Sequence, residues 1–148
     1  MSRLDAGPDR QSRARRAGYD PEILAGATVI VVGAGALGQN VLLDLALTGV
    51  RELRIVDGDI FEDHNLTRSP LFPPGNDAIG ARKAGVVGNR VASLHTAEDP
   101  VVRTADAWVE ELGLGAFEGV DVIAACVDSL HARAYLARVA LLLGLSIV

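Results

Sequence analysis

"ATVIVVGAGALGQ", residues 27–39, opens on the β-branched run of residues 28–32, turns through Gly33, Gly35 and Gly38, and places Leu37, Val41, Leu45 and Thr48 at helical spacing. It reads as strand, tight turn, helix. Gly49 marks where that helix should stop, and "ELRIVD", residues 52–57, reads as a second strand, so the stretch is a βαβ unit. Beyond it, Pro70, Pro73, Pro74 and Gly75 mark an irregular crossover. A second helix is expected over residues 79–94, with Ala84, Val87, Val91 and Leu94 on one face. "PVVRTA" predicts a third strand, "DAWVEELGLGAF" a short helix or turn, and "VDVIAACVD" a fourth strand. Leu130, Ala134, Ala137 and Leu141 then repeat at helical spacing, and "LSIV" begins a fifth strand. Apolar strands alternating with helices predict a doubly wound α/β domain with a mainly parallel, Rossmann-like sheet. Residues 1–26 are expected to form an arm and short helix, and residues 27–148 the nucleotide-binding domain.

Composition narrows the function. The 148 residues suffice for one domain with a real core, and 49% hydrophobic with 22% charged residues argues against disorder. A net charge of −5 argues against nucleic acid as the main partner, because phosphate backbones need clustered positive charge. The longest apolar stretch, at the C-terminus, is too short for a membrane span and contains Arg138. Cys126 is alone, which excludes an internal disulfide and paired-cysteine zinc sites and makes a reducing cytoplasm the expected compartment.

Gly33, Gly35 and Gly38 form G-x-G-x-x-G between strand and helix, where the helix N-terminus offers free N–H groups to phosphate. Asp57 ends the next strand, 24 residues after Gly33, where a carboxylate can accept from a ribose diol. The pattern points to an adenine nucleotide and leaves open whether that is NAD or ATP. In an open parallel sheet the residues just after each strand face the ligand. Here they are Asp57 and Asp59, followed by Asn65 and Arg68, and after the fourth strand Asp128. A carboxylate facing a triphosphate needs a divalent cation between them, so Asp128, with Asp59, suggests Mg²⁺. Capping of the next helix is an equally good use of Asp128. Arg68 has the donor fork for phosphate, and Lys83 is the one lysine in a chain that otherwise uses arginine. Asp59, Glu62, Asp63 and His64 read singly as solvated loop residues, as do His95 and His131, while Cys126 and Trp108 read as packed.

Together "VIVVGAGALG", "RIVDGDIFEDHNLTR", "GARKAGVVGNRV" and "VIAACVDSLHAR", in this order and spacing, resemble the ThiF/MoeB/HesA family and the adenylation domains of ubiquitin-activating enzymes. The resemblance implies an adenylyltransferase that uses ATP and Mg²⁺ to adenylate the C-terminal glycine of a ubiquitin-like or sulfur-carrier protein ending in Gly-Gly, releasing pyrophosphate. It implies that Gly33, Gly35 and Gly38 hold phosphate, Asp57 the ribose and Asp128 the metal. Asp59, Asn65, Arg68 and Lys83 would line the triphosphate path. "RQSR" places Arg10 and Arg13 where the family has an arm that reaches a partner's ATP in a homodimer or heterodimer. Such proteins run on with further strands, so the resemblance also implies a fold truncated at residue 148. The sequence departs from the family at Ser69 and Pro70, where glutamine often begins, and at Ser129, where asparagine is frequent. Two other readings stand beside it: an NAD-dependent oxidoreductase domain, and an inactive partner subunit of an adenylating heterodimer.

Overall fold

The computed structural model describes residues 11–72 and 77–148, the side chains of residues 13 and 14 excepted. Its sheet consists of β1 (Thr28–Val32), β2 (Glu52–Val56), β3 (Val101–Ala105), β4 (Val122–Ala125) and β5 (Ser146–Ile147) in the order β3-β2-β1-β4-β5, with every pairing parallel. The order reverses at β1, so the sheet runs outward to β3 on one side and to β5 on the other. A parallel doubly wound sheet opens its crevice at that reversal, beyond the C-terminal strand ends.

Helices α3 (Ala36–Thr48) and α4 (Lys83–Leu94) cover one face, packing on Val29, Val31, Leu53 and Ile55. On the other face α5 (Leu130–Leu143) and Phe117 pack on Ile30, Val32, Val56 and Ile123. All five residues of β1 are buried because they lie in the middle of the sheet, whereas the edge strand β3 leaves Arg103 and Thr104 exposed. Gly49 ends α3 in the left-handed region at φ 86°, a conformation that favours glycine, and its N–H returns to the carbonyls of Leu45 and Ala46. Two short helices, α1 (Ser12–Arg16) and α2 (Pro21–Gly26), precede β1. No helix among the described residues is long and apolar enough to cross a membrane.

Three helical expectations need correction. α4 begins at Lys83, because residues 77–80 form turns and Gly80 has φ 85°; its buried face is Lys83, Ala84, Val87, Gly88 and Val91. α3 buries Gly38, Gln39, Leu42 and Ala46, while Leu37 is exposed. α5 buries Ala132, Leu136, Val139 and Ala140 and leaves Leu130 and Leu141 83% and 87% exposed. Both helices are apolar on more than one side, so periodicity alone does not select the face that meets the sheet.

Buried polar groups make the stability acid-sensitive. Glu52 is buried beneath the guanidinium groups of Arg54 (2.8 Å) and Arg103 (3.1 Å), and the Arg54 hydrogen bond outweighs desolvation to hold its carboxyl below the usual 4.5. The folded state therefore holds this proton less tightly than the unfolded chain. Its stabilisation is complete above pH 4.5 and is lost as pH falls through the lower folded value. Burial also pushes His95 below 6.5, with Nε2 buried and without a partner among the described residues, so the unfolded chain takes up that proton first and stability declines from about pH 6.5 downward. Glu52→Gln should cost about 1–3 kcal/mol at pH 7 and progressively less below pH 4 in chemical denaturation, since a charged hydrogen bond is worth about that much. A pH-independent difference would refute the assignment.

Candidate functional site

A cleft of about 750 Å³ lies at the C-terminal ends of β1, β2 and β4. Its size is that of a small-molecule or cofactor site. Its floor is the glycine loop, where each glycine answers a different requirement. Gly33 has φ 97°, and a Cβ there would come within 2.6 Å of the Cys126 carbonyl oxygen. A Cβ on Gly38 would overlap the Gly33 carbonyl oxygen, so this glycine lets α3 sit against the loop. Gly35 has ordinary extended backbone and no atom within 4 Å of a Cβ position, and it lines the cleft at the α3 N-terminus. Space of this kind beside helix N–H groups suits a phosphate.

Asp57 fixes the loop. Its Oδ2 accepts from the Ala34 N–H at 2.6 Å and its Oδ1 from the Asp59 N–H at 2.8 Å, and the carboxylate still lines the cleft with lone pairs to spare for hydroxyl donors. Buried Gln39, which the sequence reading overlooked, works from below: Nε2 donates to the Ala34 carbonyl at 2.9 Å and Oε1 accepts from the Leu71 N–H at 3.0 Å. It ties the glycine loop to the crossover. An amide inside an apolar helix face gives no periodic signal of such a role.

The loop after β2 is anchored on the start of α4. Lys83 Nζ meets Asp59 Oδ2 at 2.8 Å, the Lys83 N–H donates to the Asp59 carbonyl at 2.9 Å, and Arg82 Nη1 donates to the Gly58 carbonyl at 3.0 Å. Lys83 is thus buried and paired, although it borders the cleft. Asn65 is buried in the 3-10 helix Asp63–Arg68, its Oδ1 accepting from the Glu62 N–H at 3.0 Å. Arg68 ends that helix, exposed, lining the cleft and without a partner among the described residues.

Asp128 is resolved from its capping alternative. Ser129 is the residue that caps α5, its Oγ accepting from the Ala132 N–H at 3.3 Å. Asp128 is left exposed on the cleft with no partner among the described residues. No group of three or more His, Cys, Asp or Glu among those residues gathers to hold a metal. A single carboxylate fits magnesium shared with substrate phosphates, which needs one or two carboxylates and no protein cage.

Trp108, Cys126 and His64 are among the residues read as packed or solvated that border the cleft. Trp108 is 54% exposed, and its indole lies flat enough on Gly58 that a Cβ there would come within 2.8 Å of the ring. The strand-end rule, applied after β3 as after β2, would have found it. Cys126 is half-buried beside the glycine loop, and burial pushes its thiol up, so it stays protonated and is a poor nucleophile. His64 lines the cleft and meets Glu62 at 3.3 Å, both well exposed. Gln11 donates to the Thr48 carbonyl at 3.4 Å, which places the start of α1 at the end of α3 away from the cleft. Arg10 and the side chain of Arg13 lie outside the described residues.

Residues 9–148 match the model of the ThiF family. The chain is 35% identical over 112 residues to the NEDD8-activating enzyme E1 catalytic subunit of Arabidopsis thaliana, covering 76% of this chain and 24% of that one. It is 36% identical over 110 residues to the adenylyltransferase and sulfurtransferase MOCS3 of Mus musculus, covering 74% and 23%. It therefore spans about a quarter of the length of these relatives. Among solved structures it is similar to the E. coli tRNA N6-threonylcarbamoyladenosine dehydratase TcdA, with TM-score 0.79 and 22% identity over 97% of this chain and 62% of that one. It is also similar to E. coli MccB with ATP, with TM-score 0.77 and 20% identity over 94% and 43%. These two likenesses speak to the fold; the family model and the identities above 30% place this chain in the ThiF family.

Proposed function

We propose that the protein to which this chain belongs is an adenylyltransferase that uses ATP and Mg²⁺ to activate the C-terminal glycine carboxylate of a ubiquitin-like or sulfur-carrier protein. The observation that carries this is Asp128, without a partner among the described residues and on the same cleft as the open glycine loop and Arg68. Five acidic side chains (Asp57, Asp59, Glu62, Glu110 and Asp128) and two basic ones (Arg68 and Lys83) line that cleft. A polyphosphate enters such a surface only with added positive charge. Mg²⁺ held at Asp128 would supply it by neutralising phosphate oxygens.

The glycine loop and the α3 N-terminus would hold the phosphates, Asp57 the ribose hydroxyls, and the face of Trp108 the base. Arg68 would grip the triphosphate through its guanidinium fork. Lys83, held by Asp59, would set the edge of the phosphate path, with Asn65 fixing the turn that delivers Arg68. The acyl carboxylate oxygen forms the new bond to the α-phosphorus as the α–β bridging bond breaks and pyrophosphate leaves. No proton moves, because a glycine carboxylate is ionised at neutral pH, so no general base is required. Residues 27–148 would form the nucleotide-binding domain and residues 1–26 the arm. From the far end of α3, about 20 Å long, Arg13 would serve the cleft of a second protomer in a homodimer or heterodimer. A cytoplasmic location fits a lone protonated thiol.

Pyrophosphate exchange tests the reading. The full-length protein should return labelled pyrophosphate to ATP only with Mg²⁺ and a carrier ending in Gly-Gly. Absence of exchange with the carriers of its own cell, or a preference for NAD over Mg-ATP, would overturn it.

A further inference from the structure

Resting on the ATP reading, we infer that His131 and Tyr135 are positioning residues that hold the base-facing wall of the cleft. The wall is the segment after β3, where Ala107, Trp108, Val109 and Glu110 all line the cleft. Only Val109 of these four is buried; the indole of Trp108 stands half in solvent. A platform so lightly packed needs fixing from elsewhere if it is to meet a base without first losing side-chain and backbone freedom.

α5 supplies the fixing from two positions one turn apart on the same face. His131 Nδ1 lies 3.1 Å from Glu110 Oε1, and Tyr135 Oη donates to the Leu112 carbonyl at 2.9 Å. The first contact falls within the 3-10 turn Val109–Glu111 and the second directly after it, and the turn is closed internally by the Trp108 N–H on Glu111 Oε2 at 3.0 Å. The same helix begins at Leu130 and is capped by Ser129, the residue after Asp128. One helix therefore both holds the segment that carries Trp108 and follows the Asp128 loop, and both segments line the cleft. The Glu110–His131 contact also gives a cleft-lining carboxylate a fixed partner on α5.

Neither residue touches the nucleotide in this scheme; both act through the segment they hold. The glycine loop, Arg68 and Asp128 do not depend on those contacts, so the phosphate end should be indifferent to their loss. One exposed imidazole–carboxylate hydrogen bond and one part-buried hydroxyl bond are together worth about a tenfold change in affinity.

The test is titration of the full-length protein with Mg-ATP and, separately, with Mg-tripolyphosphate, read by calorimetry and by the fluorescence of its tryptophan at position 108. In His131→Ala/Tyr135→Phe, affinity for Mg-ATP should fall about tenfold, the fluorescence response should shrink, and Mg-tripolyphosphate affinity should stay within twofold. His131→Gln, which can still donate to Glu110, should recover most of the loss attributable to His131. Equal weakening of both ligands would overturn the inference by showing a merely structural role, and unchanged Mg-ATP binding would overturn it directly. Failure of the unsubstituted protein to bind Mg-ATP would instead refute the ATP reading on which the inference stands.

Discussion

Asp128→Ala should weaken Mg²⁺-dependent ATP binding by about 100-fold while leaving the fold intact. Groups that merely orient a metal ligand are worth about 10- to 100-fold in metal affinity, and removing a ligand should match or exceed that. The stability side follows from the separation of roles at the start of α5. Ser129 carries the cap and Asp128 has no partner among the described residues, so its loss should change stability by under about 0.5 kcal/mol. Calorimetric titration with ATP, with and without Mg²⁺, and with NAD separates the alternatives. ATP binding that needs both Mg²⁺ and Asp128 supports adenylation. NAD binding indifferent to Asp128 would return the chain to the dinucleotide oxidoreductases. Asp128→Asn, which keeps an oxygen but loses the charge, should fall between alanine and the native residue.

What the sequence disclosed was what local chemistry determines. The run at residues 28–32 leads into glycines at fixed offsets, so β1, its turn and the start of α3 were readable, and with the strand-end rule they located Asp57, Arg68 and Asp128 on the cleft. Gly49 stopped α3 where a left-handed residue is required. Tertiary choices were hidden. Leu130 and Leu141 have the spacing of a buried face, yet α5 turns Leu136 and Val139 to the sheet, because either side would satisfy an apolar partner and β4 settles which is used. The salt bridge between Lys83 and Asp59 joins residues 24 apart across an irregular crossover, where no period relates them. Gln39 was missed because it matters through the Leu71 backbone it holds, whereas Trp108 follows β3 and was within reach of the strand-end rule.

Gly38→Ala and Gly35→Ala should fail in opposite ways, and the pair separates the fold from the ligand. At position 38 the added methyl would overlap the Gly33 carbonyl oxygen and press on the Cys126 side chain. The main obstacle is backbone, so no rotamer change relieves it; α3 must move off the loop and the core contacts of Leu42 and Ala46 go with it. The expected loss is above about 4 kcal/mol, in the range reserved for overpacking and strained backbone, and the variant should be largely unfolded. At position 35 the backbone lies at φ −74° and a methyl meets no atom within 4 Å. Alanine there should be neutral or stabilising by about 0.4–1 kcal/mol, through reduced freedom of the unfolded chain. On the proposed function its methyl would stand where the phosphates bind, so Mg-ATP affinity should fall at least tenfold in a fully folded protein. Chemical denaturation of both variants and titration of Gly35→Ala decide the matter. A stable Gly38→Ala would show that the loop and helix are not in the close contact described, and undiminished ATP binding by Gly35→Ala would show that the nucleotide does not approach the glycine loop.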